Sequence, residues 1–210
     1  MPDPQTWLLV AIASLVLVVI PGPAVIYILT RSISLGRAAG LASAVGVNLG
    51  SAIHVVGAVA GLSVILASSA ILYSAVKWAG VAYLVWLGIR TLRSQDEIFT
   101  NTSAEPAALK RIFTQGVIVN VLNPKVAMFF LAFLPQFVDP DSPVPWLQSL
   151  VLGLTLVVIG LISDSVYALI GGQVGGVLRR NPRAGSTTRT ASGVAYFALA
   201  GVAAVTGSRS

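Results

Sequence analysis

The sequence between residues 38 and 76 contains no Asp, Glu, Lys or Arg. A membrane helix needs about 20 apolar residues to cross a hydrocarbon core of about 30 Å, so this stretch is too long for one span. A division near Ser68 gives two spans, at about 39–66 and about 71–89. The chain is therefore expected to cross a membrane more than once.

The composition permits four further spans. Charged residues make up 10% of the 210 residues and apolar residues 56%, whereas about one-quarter of a soluble domain is charged. Six membrane helices need on the order of 120 positions, which leaves no room for a separate soluble domain. The predicted spans cover about 7–30, 39–66, 71–89, 112–137, 146–177 and 191–206. We predict an all-α polytopic membrane protein with one transmembrane domain over 1–210, whose halves, about 1–93 and 107–210, are joined by a polar loop at about 90–111.

The positive charges lie mostly on one side of these spans. Ten of the 13 Lys and Arg residues follow spans one, three and five, namely Arg31, Arg37, Arg90, Arg93, Lys110, Arg111, Arg179, Arg180, Arg183 and Arg189. Basic loops stay in the cytoplasm, so we expect these three loops there and both termini outside. The net charge of +6 then reflects topology, and no nucleic-acid partner is predicted. No Lys or Arg precedes the first span, so it lacks the basic start of a signal peptide and is expected to be retained.

Two spans contain proline in the middle of apolar sequence. Span one contains Pro21-Gly22-Pro23, and span four contains Asn123-Pro124-Lys125. Proline removes a backbone donor and clashes with the preceding turn, so each helix is expected to break there. Inside a bilayer, such breaks are tolerated only against protein or a water-filled cavity. Both breaks are therefore expected to face the interior.

The sequences around the two breaks resemble each other, since Val19-Ile20-Pro21-Gly22-Pro23-Ala24 aligns with Val121-Leu122-Asn123-Pro124-Lys125-Val126. Three spans separate them, and an odd number of crossings inverts the second copy. Paired broken helices in two inverted three-helix halves indicate a transport site near the midplane. From the residues alone, two unrelated proline kinks are an equally good interpretation.

The motifs in order along the chain are Pro21-Gly22-Pro23-Ala24, the Arg31/Gly36-Arg37/Gly40 segment, Trp78-Ala79-Gly80-Val81-Ala82-Tyr83-Leu84 with Leu87-Gly88, and Phe113 to Phe137 around Asn123-Pro124-Lys125. Together they resemble the LysE/RhtB family of amino-acid exporters over essentially the whole chain. The resemblance implies a small bacterial inner-membrane carrier with six spans that moves amino acids out of the cell with proton coupling. It does not identify the amino acid.

Asp164 is an ionisable residue near the middle of span five, where a charge costs roughly 2.5 to 3.5 kcal/mol. It shares a helix face with Gly160, Tyr167 and Gly171, so we expect it to point into the bundle. Burial favours the neutral form of a carboxyl group, and a nearby cation favours the charged form. Asp164 is therefore interpreted as a proton carrier, as half of a permanent ion pair with Lys125, or as a polar group lining a wet cavity.

The second half of span four is expected to start with Asn123 as its N-cap and Pro124 at its first position. A helix N-terminus suits the carboxylate of an amino acid, and Lys125 adds a full charge there unless it snorkels toward headgroups. At the break in span one, Gly22 permits close approach of a ligand. The predicted substrate-binding residues are Pro21, Gly22, Pro23, Asn48, Asn123, Pro124 and Lys125.

Span two places Asn48, Ser51 and His54 on one arc of about 120°. One interpretation is tight helix packing, because Gly46, Gly50, Gly57 and Gly61 lie on or near the same side. The other is that Asn48 contacts the substrate and that His54 relays a proton.

Other functional classes find less support. The chain has no Cys and one His, which excludes thiolate sites and a His-rich metal cluster, and no cofactor is predicted. An intramembrane enzyme would need His54 and Asp164 to act on a serine such as Ser51 or Ser163, and no nucleophile-elbow sequence is present. A channel or structural bundle is the main alternative, although rings of polar residues are lacking. The predicted partners are an amino acid, protons and the lipid bilayer, and a homo-oligomer is left open.

Overall fold

The computed structural model describes residues 2–60, 106–139 and 141–178, together with helical positions 78, 81–83, 85, 86, 89, 92, 93, 190, 194, 197, 198 and 201. All regular elements in these residues are helices, which confirms the all-α class. The α-helices are α1 (Pro4–Val19), α2 (Pro23–Leu35), α3 (Arg37–Val59), α4 (Pro106–Val121), α5 (Pro124–Met128) and α6 (Pro145–Leu178). A π-helical turn, Phe129–Phe133, and a 3-10 turn, Leu134–Phe137, follow α5.

The first span is broken where its sequence predicts a break. Its first half, α1, is capped by Asp3, whose carboxylate accepts from the backbone N–H groups of Gln5 and Thr6. The Thr6 hydroxyl donates to the same carboxylate, and these hydrogen bonds lower the pKa of Asp3. Helix α1 ends at Val19, α2 begins at Pro23, and the two helices differ in direction by 50°.

Among the described residues, two helices are long and apolar enough to cross a membrane, α3 and α6, and the bent pair α1–α2 forms a third crossing if it is one span. Helices α3 and α6 begin within two residues of the predicted starts of spans two and five. The predicted end of span two, most of span three, most of the polar loop and most of span six lie outside the described residues. The six-span count and the inverted halves therefore stay predictions.

The helix predicted as span four is also broken at the predicted place. Helix α4 ends at Val121, and α5 begins at Pro124. The side-chain oxygen of Asn123 accepts from the backbone N–H of Lys125 at 3.1 Å, which confirms the predicted N-cap. Helix α4 begins at Pro106, earlier than the predicted start at 112, because hydropathy marks where a helix enters the apolar layer rather than where it begins.

Helix α3 is central and packs against α2, α4 and α6. The crossing with α4 is close. A Cβ added to Gly46 would overlap the Phe113 carbonyl oxygen, and a Cβ added to Gly116 would lie 2.9 Å from the Ser43 carbonyl oxygen. At Gly57 nothing lies within 4 Å of an added Cβ. The predicted packing role therefore fits Gly46 and not Gly57.

The buried apolar side chains form two separate clusters. The first contains Tyr27, Ile28, Ala39, Ala44, Val47, Ile112, Val119 and Ala168. The second contains Val10, Val55, Val126, Phe129, Phe130, Leu134, Leu152 and Leu156. Between them, along α3, α4 and α6, lie the buried polar residues Asn48, Ser51, Asn120, Asn123 and Asp164, which we call the polar layer. Both helix breaks lie at the level of this layer.

Candidate functional site

A cavity lies between the two helix breaks and is lined by the whole polar layer together with Lys125. Its apolar wall includes Leu17, Ile20, Val25 and Leu156. It comprises about 430 Å³ of empty space, counting the part open to solvent. Small-molecule sites combine a few polar groups with an apolar wall, as this cavity does, so it is a candidate binding site.

Asn48 of α3 and Asp164 of α6 are hydrogen-bonded to each other in the wall of the cavity. Asn48 Nδ2 donates to Asp164 Oδ2 at 2.8 Å and to the Ala44 carbonyl oxygen at 2.9 Å. The Asp164 side chain is 5% exposed. Gly160 makes room for this pair, because a Cβ there would lie 2.8 Å from Asn48 Oδ1. In the part of the chain that the structure describes, the Asp164 carboxyl group thus has Asn48 as its donor, and Asp164 also lines the cavity.

Asn120 links α4 to α3 within the polar layer. Its Nδ2 donates to the Val47 carbonyl oxygen and to Ser51 Oγ, each at 2.8 Å. Asn123 Nδ2 donates to Asn120 Oδ1 at 3.5 Å. Asn120 was not among the site residues predicted from the sequence. Its position three residues before Asn123, on the same helix face and within the apolar part of the sequence that follows Gln115, was the available signal.

Lys125 reaches across the cavity to the broken end of α1. Its Nζ donates to the carbonyl oxygens of Leu17 and Ile20, each at 2.6 Å. Tyr167 of α6 donates to the intervening carbonyl, that of Val19, at 3.0 Å. The last carbonyls of a helix lack intrahelical partners and carry a partial negative charge, so a cation there is favourable.

The ammonium and the carboxyl group of the cavity have different partners. Among the residues that the structure describes, no ion pair joins Lys125 Nζ to Asp164, although both line the cavity. A permanent ion pair, considered from the sequence, is therefore not formed in this structure.

The other predicted residues are divided between the cavity wall and its surroundings. Gly22 lines the cavity, whereas Pro21, Pro23 and Pro124 define the breaks without being part of the wall. His54 lies beyond the wall, where its ring stacks on Phe130 of the second cluster with centroids 5.6 Å apart. Its Nε2 is 3.3 Å from the Asn120 carbonyl oxygen, which connects it to the polar layer. No group of three His, Asp or Glu side chains able to hold a metal occurs in the described ranges.

The apolar spanning helices define a helical membrane protein, and the comparison with known proteins defines its family. Residues 15–207 match the family model described as LysE type translocator. The chain belongs to this translocator family, as its motifs suggested.

The chain is similar over most of its length to several curated bacterial proteins. It is 35% identical over 170 residues to the homoserine/homoserine lactone efflux protein of Salmonella typhi, covering 81% of this chain and 82% of that protein. It is 32% identical over 177 residues to an uncharacterized membrane protein of Vibrio cholerae, covering 84% of this chain and 86% of that protein. It is 30% identical over 166 residues to the leucine efflux protein of Klebsiella pneumoniae, covering 78% of this chain and 77% of that protein. No solved structure gives a significant match.

Proposed function

We propose that the protein exports amino acids from the cytoplasm across the inner membrane, and that the substrate binds in the cavity between the two helix breaks. The observation that carries this proposal is a polar layer enclosed between two apolar clusters at the level where both spans break. Two similar proteins are named for efflux of homoserine, homoserine lactone and leucine. These solutes share an α-amino group. Leucine and homoserine also carry a free α-carboxylate, which in the lactone is an ester.

The architecture that accompanies this proposal is six spans in two inverted halves, with the loops after spans one, three and five in the cytoplasm. The positive-inside rule supports the orientation, since Arg31 and Arg37 follow the first span and Lys110 and Arg111 precede the fourth. The break in each half supports the inverted repeat.

In the proposed complex, the substrate carboxylate faces the start of α2. Gly22, the N-cap, has no side chain to accept from the first-turn amides, and Gly22, Ala24 and Val25 line the cavity. The free amides and partial positive charge of a helix N-terminus favour an anion. At the other break, Asn123 already accepts the Lys125 amide, so α2 is the more available of the two helix starts.

Asp164 is the proposed proton carrier, which makes the transporter a proton antiporter. Export of a zwitterion against a tenfold gradient costs about 1.4 kcal/mol. One proton entering across about 100 mV releases about 2.3 kcal/mol, enough for a gradient of roughly 40-fold. One titrating carboxyl group is therefore sufficient for a neutral substrate. His54 remains a predicted proton relay. Its contact with the polar layer is to the backbone carbonyl oxygen of Asn120, not to a titratable side chain.

Counterflow in proteoliposomes tests the proposed class of protein. Vesicles loaded with unlabelled leucine or homoserine are expected to accumulate the labelled solute transiently and saturably, because a carrier exchanges one bound substrate for another. A non-saturating ion current would indicate a channel, and covalent turnover of the solute an enzyme. Either result, without counterflow for any of the twenty amino acids, would contradict the proposal.

A further inference from the structure

The carbonyl oxygens of Leu17 and Ile20 form an ammonium site that is occupied by a side chain of the protein itself. Lys125 Nζ donates to both oxygens at 2.6 Å. All three residues line the cavity, so the contact forms part of the wall against which a substrate would bind. Gly22 leaves room for the Lys125 stem, because a Cβ on Gly22 would lie 3.3 Å from Lys125 Cδ.

The chemistry of this site suits any primary ammonium group. Leu17 lies in the last turn of α1 and Ile20 is the C-cap of that helix, where orphan acceptors and the negative end of the helix dipole coincide. C-terminal ends of broken membrane helices bind cations in this way. An alkylammonium group presents three N–H donors, whether it belongs to a lysine side chain or to an amino acid.

We propose that this pair of carbonyls is the subsite for the ammonium group of the substrate, and that Lys125 is a tethered competitor that fills it when no substrate is bound. The inference rests on the proposed function. The incoming ammonium takes the two carbonyl oxygens, and the displaced Lys125 ammonium turns to the carboxylate of Asp164, which faces the same cavity. Substrate binding thereby forms an ion pair that the empty site lacks, and it couples occupancy of the cavity to the charge on Asp164.

Chemical rescue tests the subsite without a transport assay. Lys125→Ala removes a fragment equivalent to propylammonium and leaves both carbonyls without a donor. The thermal midpoint of the purified variant is expected to fall, and propylammonium chloride is expected to restore it saturably. Tetramethylammonium, which has no N–H donor, and 1-propanol, which has no charge, are expected to have little effect. The matched control is Lys110→Ala, since Lys110 is an exposed residue of α4 outside the cavity. The proposal would be overturned if propylammonium did not restore the thermal midpoint of Lys125→Ala. It would also be overturned if propylammonium stabilised Lys110→Ala and wild type as much as Lys125→Ala.

If Lys125→Ala does not fold, Lys125→Met provides the test, because methionine keeps most of the length of the side chain without its charge. Removal of the tethered competitor is expected to lower the Kd for homoserine lactone at least tenfold, and an unchanged or higher Kd would overturn the inference. Failure of the proposed function looks different. In that case no amino acid or lactone binds to wild type or to either variant, while propylammonium still rescues Lys125→Ala.

Discussion

Asn48 of α3 donates a hydrogen bond of 2.8 Å to the carboxyl group of Asp164 of α6, which is 116 residues away in the sequence. Both side chains are buried, and both line the cavity between the two helix breaks. The contact thus connects α3 to the 34-residue helix α6 at the level of the proposed substrate site. Any change in the charge of Asp164 changes the strength of this connection, because hydrogen bonds to charged groups are roughly twice as strong as neutral ones.

Replacement of Asn48 by alanine tests the strength of this connection. Asn48→Ala leaves the buried carboxyl group without its side-chain donor, which is expected to destabilise the protein by about 1.5–3 kcal/mol. Thermal unfolding in detergent measures the effect. Leu49→Ala is a suitable control, since Leu49 is 45% exposed on the outside of the same helix. If Asn48→Ala and Leu49→Ala lost the same amount of stability, the Asn48–Asp164 hydrogen bond would contribute no more than an exposed leucine.

Gly160→Ala disturbs the same pair without removing either partner. The added Cβ would lie 2.8 Å from Asn48 Oδ1, so the amide that donates to Asp164 has to shift. We expect export of the substrate to fall at least tenfold, because the carboxyl group loses its positioned donor. The variant Gly160→Ser is expected to be no better. Wild-type export rates in Gly160→Ala at equal protein level would show that the position of Asn48 does not matter for transport.

The crossing of α3 and α4 depends on a glycine. Gly46→Ala places a methyl group against the Phe113 carbonyl oxygen, where the neighbouring backbone has to shift. Overpacking of this kind costs typically 1–3 kcal/mol. Gly57→Ala in the same helix meets nothing within 4 Å and is expected to be neutral or slightly stabilising, because alanine is the better helix former. If the two variants unfold at the same temperature, the described crossing is wrong.

The two helix breaks were predictable because their cause is local. Pro21, Pro23 and Pro124 remove backbone donors wherever the chain folds, and Asn123 caps a helix through a bond to the second residue after it. The buried position of Asp164 followed from the absence of other charges in a long apolar helix. These features require no knowledge of which helices are neighbours.

The contacts inside the cavity were not predictable, because they depend on which helices are neighbours. Lys125 was expected to strengthen an anion site at its own helix start, yet its ammonium group binds carbonyls of residues 108 and 105 positions away. Asn120 was missed because its partners, Val47 and Ser51, lie on another helix. Hydropathy and periodicity give the face of a helix that is buried, but the pairing of polar groups across helices depends on the packing itself.

The central claim is that Asp164 couples the cavity to protons, and Asp164→Asn in proteoliposomes tests it most directly. Vesicles are loaded at pH 8 with labelled leucine or homoserine and diluted into pH 6 buffer that contains the same concentration of that solute. Wild type and the matched control Asp141→Asn, an exposed residue, are expected to drive labelled solute out against the resulting gradient. Asp164→Asn is expected to lose this uphill efflux and to retain counterflow, which also shows that the variant is folded. Uphill efflux at the wild-type rate in Asp164→Asn would contradict the proposed coupling.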